Sequence, residues 1–253
     1  MQRLPSRPNI LEVMEALYLA LIGLPAGLAV DALIARLAVP LDDDLDGDAT
    51  EEGPAPARFL QAERGSLVLE GESGAGVWIR RALVVLVTSG LFALTALRYD
   101  EPSHIAIVAA YVCVLLVCAG TDLIAYRVPN VITYPAIVGA FAIGATVSGA
   151  DIKEVAAGGG LGAAVLLVPS LITGGVGMGM GDVKLLAFVG LATGFEHLVP
   201  AMLFMALLGG LVAVLLLGTG LRKRGEAIPY APFISAGALA ALLWQGTAFI
   251  DLA

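Results

Sequence analysis

Charge is scarce in this 253-residue chain: only 14% of its residues are Asp, Glu, Lys or Arg. Apolar residues make up 58%, and with the 31 glycines the share is about 70%, against about 45–50% in soluble domains. A soluble fold has no interior large enough to hide that surface, so the composition calls for an integral membrane protein. Cysteine and histidine number two each. Cys113 and Cys118 sit inside the apolar run Tyr111–Gly120, where free cysteine acts as a small buried hydrophobe. A structural zinc needs about four neighbouring ligands, which these two and the distant His104 and His197 do not supply. A basic patch of the kind that binds nucleic acid is also lacking. The net charge of −8 is not a global property, because ten acidic and two basic residues fall between Asp42 and Glu72 and the rest of the chain balances.

What is present is a series of apolar segments bounded by charges, glycines or prolines: 14–38, 80–98, 104–122, 131–149, 155–172, 183–196, 198–218 and 229–250. A bilayer crossing takes about 20 residues, and 183–196 is the shortest. Within the fifth segment, Gly158-x-x-x-Gly162 puts small residues on one helix face, a spacing that favours close helix packing. The first segment follows Arg3 and Arg7 but runs to Val39 with Asp31 and Arg36 inside it. That is too long for a signal peptide, so it reads as an uncleaved helix. Counting crossings puts Arg36, Arg58, Arg64, Arg80, Arg81, Arg127, Lys184, Arg222, Lys223 and Arg224 on one side. The other side holds Arg3, Arg7, Arg98 and Lys153, so the positive-inside rule assigns the first group to the cytoplasm. Residues 41–79 form an insert too acidic and turn-rich to pack a core, and are expected to be disordered. The expected fold is therefore an all-α polytopic membrane protein of about eight transmembrane helices. It divides into a first helix (1–40), the acidic cytoplasmic insert (41–79) and a seven-helix membrane domain (80–253).

Two aspartates stand at chemically telling positions. Asp122 closes the third segment and Asp182 opens the sixth, after Gly177-Met178-Gly179-Met180-Gly181. By the count above both lie at the cytoplasmic edge of the membrane, and Asp31 is a third such carboxylate. Carboxylates at membrane depth cost roughly 2.5–3.5 kcal/mol, so they usually face an interior or a wet cavity. Two of them brought together cannot both ionise comfortably, and their titrations split. One then serves as base and the other as acid, which is enough to deprotonate a water, polarise a carbonyl and protonate a leaving amine without a metal. Gly179 and Gly181 permit close backbone approach, since no β-carbon stands in the way. Lys184 follows on the same helix and could offset negative charge.

These stretches resemble the type IV prepilin leader peptidases, a family of intramembrane aspartyl proteases. Gly179-Met180-Gly181-Asp182-Val183-Lys184-Leu185 is similar to the family's GxGD-Val-Lys-Leu signature. Asp122-Leu123 with Val128-Pro129-Asn130 resembles its first-aspartate motif, and Ile228-Pro229-Tyr230-Ala231-Pro232-Phe233 its approach to the last helix. Gly27 to Arg36 is loosely similar to its first-helix block. The resemblance implies eight helices, a catalytic pair at Asp122 and Asp182, and a site facing the cytoplasm. It gives Gly179, Gly181, Lys184 and Pro129 roles in substrate binding or loop support. It also implies prepilin-like substrates, cut after a glycine that follows a short basic leader. Many members carry four zinc-binding cysteines in the first cytoplasmic loop and methylate the new N-terminus with S-adenosylmethionine. Here that loop has no cysteine, so no cofactor is expected.

The resulting expectation is a prepilin endopeptidase of the bacterial inner membrane, acting on prepilins or pseudopilins in the lipid bilayer. Two alternatives stay open: a bifunctional enzyme that also N-methylates the mature pilin, and an ion or proton transporter using Asp31, Asp122 and Asp182.

Overall fold

The computed structural model describes residues 10–38, 59–61, 67–69, 74–147, 151–172, 179–219, 228–248 and 250–251. Seven helices dominate these residues: α1 Ile10–Leu37, α2 Gly74–Arg98, α3 Pro102–Ala125, α4 Asn130–Thr146, α5 Ile152–Ile172, α6 Met180–Gly218 and α7 Ala231–Trp244. Two short antiparallel ribbons complete them, β1 Phe59–Gln61 with β2 Leu67–Leu69, and β3 Gly246–Thr247 with β4 Ile250–Asp251. The chain is an all-α membrane protein. Five of the helices (α1, α2, α3, α5, α6) are long and apolar enough to span a bilayer, whereas α4 and α7 are shorter than about 20 residues. Large side chains such as Leu207, Val214, Val138 and Leu171 stay exposed, as expected where the surrounding solvent is hydrocarbon.

The expected segments 183–196 and 198–218 fall on the two arms of α6, which is interrupted at Gly194, where φ is +76° and ψ 173°. That conformation suits only a residue without a β-carbon. The packing shows that the two arms run in opposite senses. Ala192 accepts the Ala248 N–H beyond the end of α7 (3.1 Å), and the first arm therefore rises from Asp182 toward α7's C-terminal end. In the second arm Met205 packs at Gly237 and Gly209 at Phe233, so it descends toward α7's N-terminal end. Elsewhere α2 begins six residues earlier than expected, at Gly74. Of the expected insert, the described residues show the β1–β2 ribbon and the start of α2. The acidic stretch 41–58, the glycine-rich run 173–178 and the basic loop 220–227 lie outside the described residues.

Small residues set the helix spacing. The expected Gly158-x-x-x-Gly162 face is the α5–α6 crossing: a β-carbon at Gly158 would lie 2.8 Å from the Gly194 carbonyl carbon, and one at Gly162 3.0 Å from that of Leu186. Gly190 opposes Gly158 from the other side, so two backbones touch with no side chains between them. A second crossing of this type, not anticipated, joins α1 to α2. There Gly23 and Gly27 abut the Cα atoms of Ser89 and Val85, with β-carbon positions at 2.6 and 2.7 Å. The main core gathers Leu115, Leu185, Leu186, Phe188, Leu198 and Ile234, with Tyr111 edge-on to Phe188 at 5.4 Å between ring centroids.

Candidate functional site

Asp122 lies in the last turn of α3, which continues to Ala125 before Tyr126 ends it in the left-handed conformation (φ 52°, ψ 36°). The side chain is buried, with 6% of its surface exposed. A buried carboxylate needs donors, and the start of α7 provides them. The Ala231 N–H donates to Asp122 Oδ2 at 2.9 Å, and a backbone hydrogen bond from Tyr230 reaches the same carboxylate. The sequence explains why these donors are available. The first N–H groups of a helix have no partner within it, and they carry the positive end of the helix dipole. Pro232, in the first turn, has no N–H to satisfy.

Asp182 lies in the first turn of α6 rather than capping it, and its own N–H bonds to the Gly179 carbonyl at 3.1 Å. A backbone hydrogen bond from Gly179 reaches its carboxylate. Gly181 allows this turn to sit against the α3–α4 loop, since a β-carbon there would come within 2.8 Å of Val128 Cβ. Pro129 closes the loop as the residue capping α4, and its carbonyl accepts the N–H groups of Ile132 and Thr133 (both 3.1 Å).

Asp122 and Asp182, sixty positions apart, line one polar cavity of about 260 Å³. Gly179, Gly181, Asn130 and Lys184 line it with them. Lys184 does not lie along either carboxylate. Its Nζ donates to Asn130 Oδ1 at 2.8 Å and stands 4.7 Å from the centroid of the Tyr134 ring. Tyr230, the residue before α7, has its phenol within electrostatic reach of Asp182. Burial first, then the nearby Asp182 carboxylate, push its phenol above its ordinary pKa, which keeps the hydroxyl neutral and able to donate.

Asp31 is not part of this arrangement. It is 2% exposed, forms an ion pair with Arg80, and accepts from Arg81 Nε at 3.2 Å. The two arginines come from α2, so Asp31 braces α1 against α2. The three carboxylates are not gathered into one path.

The model of the "Type IV leader peptidase family" matches residues 109–214, which contain both cavity aspartates. A "Prepilin leader peptidase/N-methyltransferase" of Xanthomonas campestris pv. campestris is 30% identical over 198 residues, 73% of this chain and 67% of that protein. The chain belongs to the type IV leader peptidase family. Proteins with the same description from Bacillus subtilis (32% identical over 163 residues, 63% of this chain and 64% of that protein) and Burkholderia pseudomallei strain 1026b (30% over 171 residues, 66% and 55%) are also similar. The chain thus spans from a little over half to about two thirds of the length of these relatives. No solved structure matches it.

Within this member of the leader peptidase family, reasoning from sequence named Asp122, Asp182, Gly179, Gly181, Lys184 and Pro129. It missed the Ala231 and Tyr230 donors and the role of Asn130. The Ile228–Phe233 motif was the available signal. A backbone N–H has no side-chain signature, however, and its target becomes visible only when α7 is placed beside α3.

Proposed function

We propose that the chain is a prepilin leader endopeptidase whose dyad, Asp122 and Asp182, activates water at the cytoplasmic face of the bacterial inner membrane. The observation that carries this reading is the single cavity shared by the two carboxylates, one of them held by the N-terminus of α7. Asp122, with backbone donors already committed to it, acts as the base that takes a proton from water as the oxygen attacks the scissile carbonyl. Asp182 begins protonated, hydrogen-bonds the carbonyl oxygen, and helps deliver a proton to the leaving amine as the tetrahedral intermediate collapses. The neutral Tyr230 hydroxyl and the Lys184 ammonium, positioned by Asn130, orient the substrate backbone. The acidic residues between Asp42 and Glu72 attract the basic leader. The reaction needs no bound cofactor, and the substrates are prepilins or pseudopilins.

Co-expression with a type IV prepilin, scored by leader removal, tests this. Asp122→Asn and Asp182→Asn proteins that insert at normal levels should leave the precursor uncut. Cleavage by either would overturn the dyad. A second reading, that the chain also methylates the new N-terminus, is favoured by the double name its relatives carry. Mass spectrometry of the mature pilin decides it: a first residue heavier by one methyl group supports the bifunctional enzyme, and an unmodified one refutes it.

A further inference from the structure

A second cavity, of about 720 Å³, lies at the other end of the bundle, between the first half of α1, the end of α2 and the start of α3. The ends of the bundle are fixed by α7. Its N-terminal residue Ala231 holds Asp122, while its C-terminal carbonyls are held by the α2–α3 connection. Arg98 Nε donates to Leu243 O at 2.6 Å, Arg98 Nη2 to Trp244 O at 2.9 Å, and the Tyr99 hydroxyl to Leu242 O at 2.6 Å. The 14 residues of α7 put about 20 Å between the two ends. Below this cavity, α1 is tied to its neighbours at Gly23, Gly27 and Asp31. Above them Leu19 still packs against the cluster of Phe92, Ile105 and Val108, while Leu11, Met14 and Tyr18 remain 60–70% exposed along one wall.

The cavity has the dimensions and chemistry of half a bilayer. From Leu11 to Ile22 it follows α1 for about 16 Å at 1.5 Å per residue, close to half of the roughly 30 Å hydrocarbon core. Its floor is apolar (Ile22, Phe92, Ala109), and its polar lining consists of the Tyr18 phenol and two carboxylates, Glu15 and Asp100, toward the outer end. Both are exposed, and among the described residues neither has an ion-pair partner. We propose that this groove seats one phospholipid of the leaflet opposite the dyad, with an acyl chain along the groove and an amine-bearing head group, as in phosphatidylethanolamine, against Glu15 and Asp100. The two negative charges disfavour an anionic head group. A flexible acyl chain can follow a groove that runs along α1 and the start of α3 in this way.

Native mass spectrometry of the full chain, released from detergent in the presence of equimolar palmitoyl-oleoyl phosphatidylethanolamine and phosphatidylglycerol, tests the proposal. One phosphatidylethanolamine per chain should be retained, favoured about tenfold, as two carboxylates near the head group would give. Glu15→Gln with Asp100→Asn should remove the preference while the chain still binds lipid. Ala106→Phe, which fills the groove, should remove the adduct. Equal retention of both lipids by the unaltered protein, or an adduct that survives Ala106→Phe, would overturn it. Should Ala106→Phe lower the melting temperature so far that the chain is not folded, the exposed double variant decides alone: an unchanged lipid preference refutes the proposal.

Discussion

The crossing of α5 and α6 offers a way to disturb the proposed dyad without touching it. A β-carbon at Gly162 would stand 3.0 Å from the Leu186 carbonyl carbon and closer still to its oxygen, whereas carbon contacts are most favourable at about 3.5–4.0 Å. In Gly162→Ala the two backbones must therefore part by about 1 Å, because the obstruction is main chain and no side chain can rotate away. Packed interiors transmit such strain rather than absorb it. Leu186 lies one turn beyond Asp182 on the same arm of α6, about 6 Å along the axis, so the displacement reaches the carboxylate almost undiminished. Misplacing a catalytic group by about 1 Å can cost about 10²-fold in rate, or about 2.7 kcal/mol in the barrier. Overpacking should cost about 1–3 kcal/mol of stability, leaving a folded protein. The control is in the same helix: at Gly160 an added β-carbon meets nothing within 4 Å. In detergent, with a purified prepilin and leader release followed by gel mobility, Gly162→Ala should cleave about 10²-fold more slowly and Gly160→Ala at the unaltered rate. Equal rates for the two variants would refute the claim that this crossing sets the position of Asp182.

Asp31→Ala leaves the guanidinium groups of Arg80 and Arg81 without their buried anion, and should lower stability by about 3–5 kcal/mol, read as a fall in thermal unfolding temperature in detergent. Gly194→Ala forces a β-carbon into a positive-φ break. It should cost about 1–3 kcal/mol in the same assay, with lower expression as the secondary sign. The pH–rate profile should be bell-shaped. In the proposed mechanism, activity falls on the acid side as Asp122 takes up the proton it must remove from water. On the alkaline side it falls as Asp182 loses the proton it must donate. Tyr230→Phe should leave both limbs where they are, since the phenol is neutral across that range, and should reduce the rate only; a moved alkaline limb would assign the proton donor to Tyr230 instead.

Much of the bundle was legible because the bilayer is an unforgiving solvent. Backbone groups in hydrocarbon must be satisfied within helices, so long apolar runs announce their own secondary structure. Gly158-x-x-x-Gly162 could be read as a packing face because its spacing is local. Asp122 and Asp182 could be read as a pair because a carboxylate at membrane depth is costly enough to demand a reason. The sequence did not disclose which distant groups would meet which. Asp31 carries the same signal as the other two aspartates, and only the packing of α1 on α2 brings it Arg80 and Arg81 from 49 and 50 positions away. The Gly23–Gly27 crossing was obscured by Pro25 between the two glycines and by a partner helix far along the chain. The boundary between segments 183–196 and 198–218 was legible, but its place at Gly194 was not, and the positive φ there matters because Ala248 closes over it. Composition and periodicity report what each segment needs from its solvent. Hydrogen bonds, ion pairs and backbone contacts between segments depend on distances of a few ångströms, and tertiary packing alone fixes those.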